Sequence, residues 1–161
     1  MKKTRTLPFV FLIIAAACST IVDVDFDLKK FEQERKAWEQ ANITEYEYTY
    51  ASFGFIGGKY KVRVSGDKCE ITDEDTGETV VDNDYKIENL YKGIKDVYDK
   101  HQNSEVNLCK SDYFYYSKIN VEYDEENHIP LKIEYIYEAP ENLAVDGDFY
   151  HEITGFKILK D

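Results

Sequence analysis

Any chemistry in this chain would have to be assembled from 32 acidic residues, three histidines and three cysteines spread over 161 positions. A nucleophilic centre needs Ser or Cys beside a His that an acid orients. His101, His128 and His151 fall in a predicted helix end, a turn and a strand, and neither G-x-S-x-G nor H-E-x-x-H occurs. Gly57-Gly58 lacks the Lys-Ser/Thr continuation of a phosphate loop. A pair of carboxylates could do general acid–base work, but among 32 acids no single pair stands out. The run Asp73-Glu74-Asp75-Thr76-Gly77-Glu78 invites a calcium-loop reading. An EF-hand needs Gly at position 6 of its loop, with helices on both sides. Gly77 stands one place too early and strands flank it, so a hairpin turn explains the run better. Asp146-Gly147-Asp148 reads as a loop of solvated acids. No metal and no cofactor is expected, and no catalytic residue is assigned.

The cysteines divide by position. Lys2, Lys3 and Arg5 precede an apolar run over 7–17, and Ala15-Ala16-Ala17-Cys18 ends it. The run is shorter than the roughly 20 residues a membrane span requires. Basic start, short apolar stretch and small residues before a cysteine make up a lipoprotein signal peptide over 1–17, with acylation (palmitate among the chains) expected on Cys18. The alternative is an ordinary signal peptide with an incidental cysteine. Two or more acyl chains anchor stably, each buried CH₂ contributing about 0.8 kcal/mol. Ser19, not Asp, follows the cysteine. The expected location is therefore the bacterial cell envelope: the outer membrane where there are two, otherwise the outer face of the plasma membrane. Cys69 and Cys109 remain, in a compartment where disulfides persist. They are either a bridge, contributing roughly 3–4 kcal/mol, or two separate core residues. Without C-x-x-C or a neighbouring His, zinc and thioredoxin-like chemistry fit poorly.

Removing residues 1–17 takes away three basic residues and no acid, turning the net charge of −12 into −15. Such a domain is repelled by phosphate backbones and has no basic stripe, which excludes nucleic acid as a partner class. Aromatics reach 15%, with 14 Tyr. In the run Tyr113-Phe114-Tyr115-Tyr116, strand alternation cannot hide every ring in one core. Tyr113, Tyr115 and Tyr116, with Phe53 and Phe55, are the candidate binding surface, suited to a protein or glycan partner. The alternative is that Tyr serves here as a core residue with a wet hydroxyl.

These residues need a scaffold. Leu28, Phe31, Arg35 and Trp38 recur at helical spacing within 25–41, with Asn42 as a stop. In Thr44-Glu45-Tyr46-Glu47-Tyr48-Thr49-Tyr50 the period is two, placing Tyr on one face and Glu/Thr on the other. After a glycine turn, Tyr60, Val62 and Val64 mirror it, with Lys59, Lys61 and Arg63 opposite, so a hairpin sets a Glu face against a Lys/Arg face. Short strands follow over 68–72 and 79–81. Ile87, Leu90, Tyr91, Ile94, Val97 and Tyr98 form an apolar stripe over 86–100, with Asp84 as the expected cap. Strands over 119–123, 131–135 and 149–158 complete the set. The expected fold is α+β: an antiparallel sheet of about six to seven strands with two helices on one face, in the order α-βββ(β)-α-βββ. Residues 18–24 are read as the lipidated start and a short tether (Ser19 to Asp23), and 25–161 as one domain.

The ordered set resembles a bacterial family known as domain of unknown function 6174. The matching pieces are Trp38 before Tyr46-Glu47-Tyr48-Thr49-Tyr50, Val62-Arg63-Val64 with Gly66, and Ile87-Glu88-Asn89-Leu90. Val121-Glu122-Tyr123-Asp124, Pro130-Leu131-Lys132-Ile133 and Ile153-Thr154-Gly155-Phe156 follow. The resemblance implies an envelope location and this fold outline, but no activity. Many members look to carry a Cys pair just after the Tyr strand. Here Phe53-Gly54-Phe55 stands in that place, so nothing about that pair transfers. The expected function is a membrane-anchored, non-catalytic binding or envelope-associated module. The alternatives are a carboxylate-dependent hydrolase of an envelope or host glycan, and an enzyme inhibitor presenting the loop 53–58.

Overall fold

The computed structural model describes residues 19–54, 57–107, 115–138 and 149–159. These hold β1 (Ser19–Ile21), α1 (Leu28–Ala41), β2 (Glu45–Phe53), β3 (Gly58–Ser65), β4 (Lys68–Asp73), β5 (Thr79–Val81), α2 (Ile87–His101), β6 (Glu105–Asn107), β7 (Tyr115–Tyr123), β8 (Pro130–Glu138) and β9 (Phe149–Ile158). Seven strands form one antiparallel sheet in the order β5-β4-β3-β2-β9-β8-β7, and β1 pairs with β6 in a separate ribbon. The α+β reading with both helices on one face holds. Among the described residues no helix is long and apolar enough to cross a membrane.

The period-two pattern decides the faces. Tyr46, Tyr48 and Tyr50 pair with Val64, Val62 and Tyr60, and all but Tyr60 are buried beneath the helices. On the open face, register alone places Lys157, Glu47, Arg63 and Glu70 in one row across β9, β2, β3 and β4. Signs alternate along that row. Each favourable cross-strand pair contributes about 0.2–1 kcal/mol. Between β4 and β5, Asp73 Oδ1 accepts from the Asp75 and Thr76 amides at 2.9 and 2.8 Å, and Gly77 takes φ +74°. The acidic run is thus a hairpin turn.

In β9 a strict alternation would put Ile153 and Phe156 on opposite faces. Gly155 has φ +64°, and the register against β2 slips between Glu47 and Thr49. This glycine bulge turns Phe156 inward, where its ring lies 6.0 Å from Trp38 and 5.6 Å from Tyr46.

Helix α1 starts where Asp27 Oδ1 accepts from the Lys30 amide at 2.9 Å, and stops at Asn42, which adopts φ 51°. Helix α2 starts differently from expectation. Asp84 lies in a 3-10 turn (Asn83–Tyr85) capped by Asp82, and Lys86 at the start of α2 makes no side-chain cap. The Tyr46 hydroxyl caps the helix instead, accepting from the Ile87 amide at 3.0 Å. A group from the neighbouring sheet satisfies an orphan helix N–H.

The segment read as a tether is not one. Besides the β1–β6 pairing, the Val22 amide donates to Ser104 O and the Asn103 amide to Val22 O, both at 2.9 Å. Val22 and Val24 are buried. The stretch from Ser19 to Val24 is therefore part of the packed domain, because two valines at alternate positions supply apolar area that the sheet edge needs covered.

Candidate functional site

Helix α1 and the first turns of α2 cover the Tyr46 end of the sheet. Trp38 meets Tyr46 edge-on at 5.4 Å, and Phe31 meets Tyr91 at 5.5 Å. Along the other flank of α2 the sheet floor continues uncovered by α1, and a groove of about 340 Å³ runs there. Its floor is Tyr50 from β2, His151 from β9, and Ile133 and Tyr135 from β8. Its wall is Asn89, Leu90 and Gly93 of α2, with Asp84, Lys92 and Asp96 at the rim. Alternation along β2, β8 and β9 brings those four floor residues to one face. The wall follows from the i, i+3, i+4 row Asn89, Lys92 and Gly93. A Cβ on Gly93 would meet nothing within 4 Å, so the missing side chain leaves the wall open. In mid-helix that glycine costs about 1 kcal/mol relative to Ala.

The floor is uncharged at neutral pH. His151 stacks on Tyr50 at 5.4 Å and meets Tyr135 edge-on at 6.0 Å. Its Nδ1 is buried without a hydrogen-bond partner among the described residues. Burial holds its pKa below the ordinary 6.5, because desolvation disfavours the imidazolium. The same cause lifts the Tyr50 and Tyr135 hydroxyls well above the phenol range. Charge sits at the rim, on Asp84, Lys92 and Asp96. Among the described residues no Ser, Thr or Cys lines the groove. Its volume lies at the lower end of small-molecule sites.

Elsewhere four carboxylates are shifted away from acid catalysis. Glu70 is held below the usual range by Lys68, Asp73 by the Thr76 amide, Asp124 by the Asn127 amide and Glu134 by Asn120. A general acid needs the opposite shift. A hollow of about 660 Å³ on the open face is floored by the charge ladder with Thr49, Thr72 and Thr79. Another, of about 440 Å³, follows the β7 edge beside the Asp25–Lys118 ion pair at 3.2 Å. Among the described residues no group of His, Cys, Asp or Glu could hold a metal ion.

The aromatic surface expected from sequence does not form as one patch. Phe53, 39% exposed, stacks on Tyr150 at 4.4 Å on the open face. Tyr116 lies on the helix side, 4.8 Å from His101 and 5.6 Å from Tyr135, so the sheet separates the two. Tyr115 packs partly against the core and donates to Glu138 Oε2 at 2.8 Å. Tyr113, Phe55, Cys18 and Cys109 lie outside the described residues. Cys69 is a fully buried, free thiol that burial pushes up to about 11. The groove residues escaped the sequence reading because five separate elements supply them. Gly93, interrupting an otherwise strong helix, was the available signal.

No curated protein and no solved structure matches the chain. A family model does, over residues 30–158, from the first turn of α1 to the last residue of β9, taking in both helices, the seven-stranded sheet and the groove. With that span the chain belongs to the family of unknown function DUF6174.

Proposed function

We propose that this protein is a lipoprotein of the bacterial cell envelope, anchored by acyl chains on Cys18, whose domain binds its ligand without catalysis in the groove beside α2. The observation that carries the binding reading is that groove: a concave site with a neutral aromatic floor, charge confined to the rim, and no Ser, Thr or Cys among the described residues of its lining. The Ala15-Ala16-Ala17-Cys18 boundary carries the anchor, and Ser19 after it favours the outer membrane in a double-membraned cell.

Crosslinking in intact cells tests the site. The parent should capture a partner that Gly93→Leu loses, while circular dichroism shows both folded. Equal capture of the same partner by both proteins overturns the groove. Radiolabelled palmitate should enter the parent and not Cys18→Ala, and label in the mutant overturns the anchor. A carboxylate-dependent glycan hydrolase is the second reading, favoured by Asp84 and Asp96 at the rim of a groove floored by Tyr50 and Tyr135. Cleavage of a glycan that both Asp84→Asn and Asp96→Asn abolish would replace the first reading with this one.

A further inference from the structure

We infer that the domain sits flush on the phospholipid surface at its β1–β6 corner, with the Ile21 side chain in the headgroup layer. This rests on acylation of Cys18. A lipid-bearing Cys18 is one peptide unit, about 3.8 Å, from Ser19, and Ser19 already pairs with Asn107. Slack is removed further along. Thr20 pairs with Val106 and Ile21 with Glu105, the Val22 backbone bonds to Asn103 and Ser104, and the Val24 amide donates to Gln102 Oε1 at 2.8 Å. Val22 and Val24 are buried, which fixes the strand to the body of the domain.

Next to Val22 and on the outer side, Ile21 is 70% exposed, the most exposed of the large apolar side chains among the described residues. Three peptide units of extended chain separate it from Cys18, a reach of at most about 10 Å. That matches the roughly 5–10 Å over which interfacial proteins bury apolar groups. The remainder of the domain opposes wider contact, since the chain after residue 17 carries a net charge of −15 and an anionic bilayer repels it. Contact is therefore confined to the corner that the anchor holds down.

The test uses the full lipidated protein in vesicles of phosphatidylcholine and phosphatidylglycerol whose acyl chains are brominated near the headgroup. Ile21→Trp reports the corner. Val80→Trp reports β5, at the sheet edge opposite β7 and 54% exposed. The buried Trp38 of the parent sets the baseline. The expected result is a blue shift and strong quenching of the added emission at position 21, none at 80, and loss of the quenching when a flexible Gly/Ser spacer is inserted between Cys18 and Ser19. Acylated protein with an unquenched probe at 21, quenching at both positions, or quenching that survives the spacer overturns the inference. Mass spectrometry that finds no acyl chain on Cys18 overturns the anchor reading itself, a separate failure read on the same sample.

Discussion

At the end of the sheet beneath α1 and the start of α2, tyrosine hydroxyls are tied to backbone groups. Tyr46 accepts from the Ile87 amide, Tyr48 donates to Tyr85 O, and Tyr91 donates to His128 O at 2.7 Å. At the other end, Tyr50 and Tyr135 line an opening. Apart from Tyr91, which helix α2 supplies, both ends come from the same residue type on the same face of the same sheet. The difference is what covers them: two helices at one end, one flank of a single helix at the other. A high tyrosine content therefore has two meanings in this molecule. Under the helices Tyr46, Tyr48 and Tyr91 are core residues with bonded hydroxyls, which stitch helix to sheet and loop, whereas the buried Tyr123 hydroxyl has no partner among the described residues. Along the groove Tyr is a lining.

Removing a hydroxyl should separate the two ends most sharply. Tyr46→Phe keeps the ring contacts with Trp38 and Phe156 but strands the buried Ile87 amide. An unsatisfied buried donor costs about 1–3 kcal/mol. Tyr135→Phe, in the groove floor, should shift stability by less than about 0.5 kcal/mol. Urea unfolding of both variants decides it. Equal losses would mean that the groove tyrosines are structural too, and the contrast between the ends would collapse.

The wall gives a smaller effect of opposite sign. Gly93→Ala should raise stability by about 1 kcal/mol, because a mid-helix glycine gives way to the best helix former and the new Cβ meets no neighbour. A loss instead would show that the backbone at Gly93 needs its glycine, and the argument that it keeps the groove open would fail. A gain in stability with weaker partner capture would sharpen the contrast, since the glycine would then be retained against helix propensity.

What the sequence disclosed follows the range of the interactions. The Tyr/Glu alternation in β2, the stripe of α2 and the Asn42 stop are local patterns, and each element formed within a few residues of its expected bounds. The Tyr46 cap joins residues 41 positions apart, so the nearby Asp84 was the more visible candidate. The β1 strand has only three residues, and its partner lies more than 80 positions away, beyond any local period. Phe156 faces the core only because Gly155 adds a residue to the strand. The split of the aromatic surface is a register effect, since Phe53 and Tyr116 lie on opposite faces of one sheet. Local composition announces that rings exist, and only pairing decides which side they take.

The smallest effect is a pH dependence. His151 is held neutral by burial in the folded state, while in the unfolded chain it titrates near its ordinary value of about 6.5. Below that value the unfolded chain takes up a proton that the folded chain resists, so stability falls as the pH drops from 7 through the depressed folded pKa. His101, less buried, shifts in the same direction beside Lys100 and adds to the slope. The ring stacks on Tyr50, so Phe keeps the aromatic contact while removing the titration. His151→Phe should therefore lose less stability than the parent between pH 7 and 5, measured by urea midpoints across that window. An unchanged slope would mean that the imidazole gains a proton partner on acidification. The groove floor would then carry charge, and the distal end would differ from the covered end in electrostatics as well as in shape.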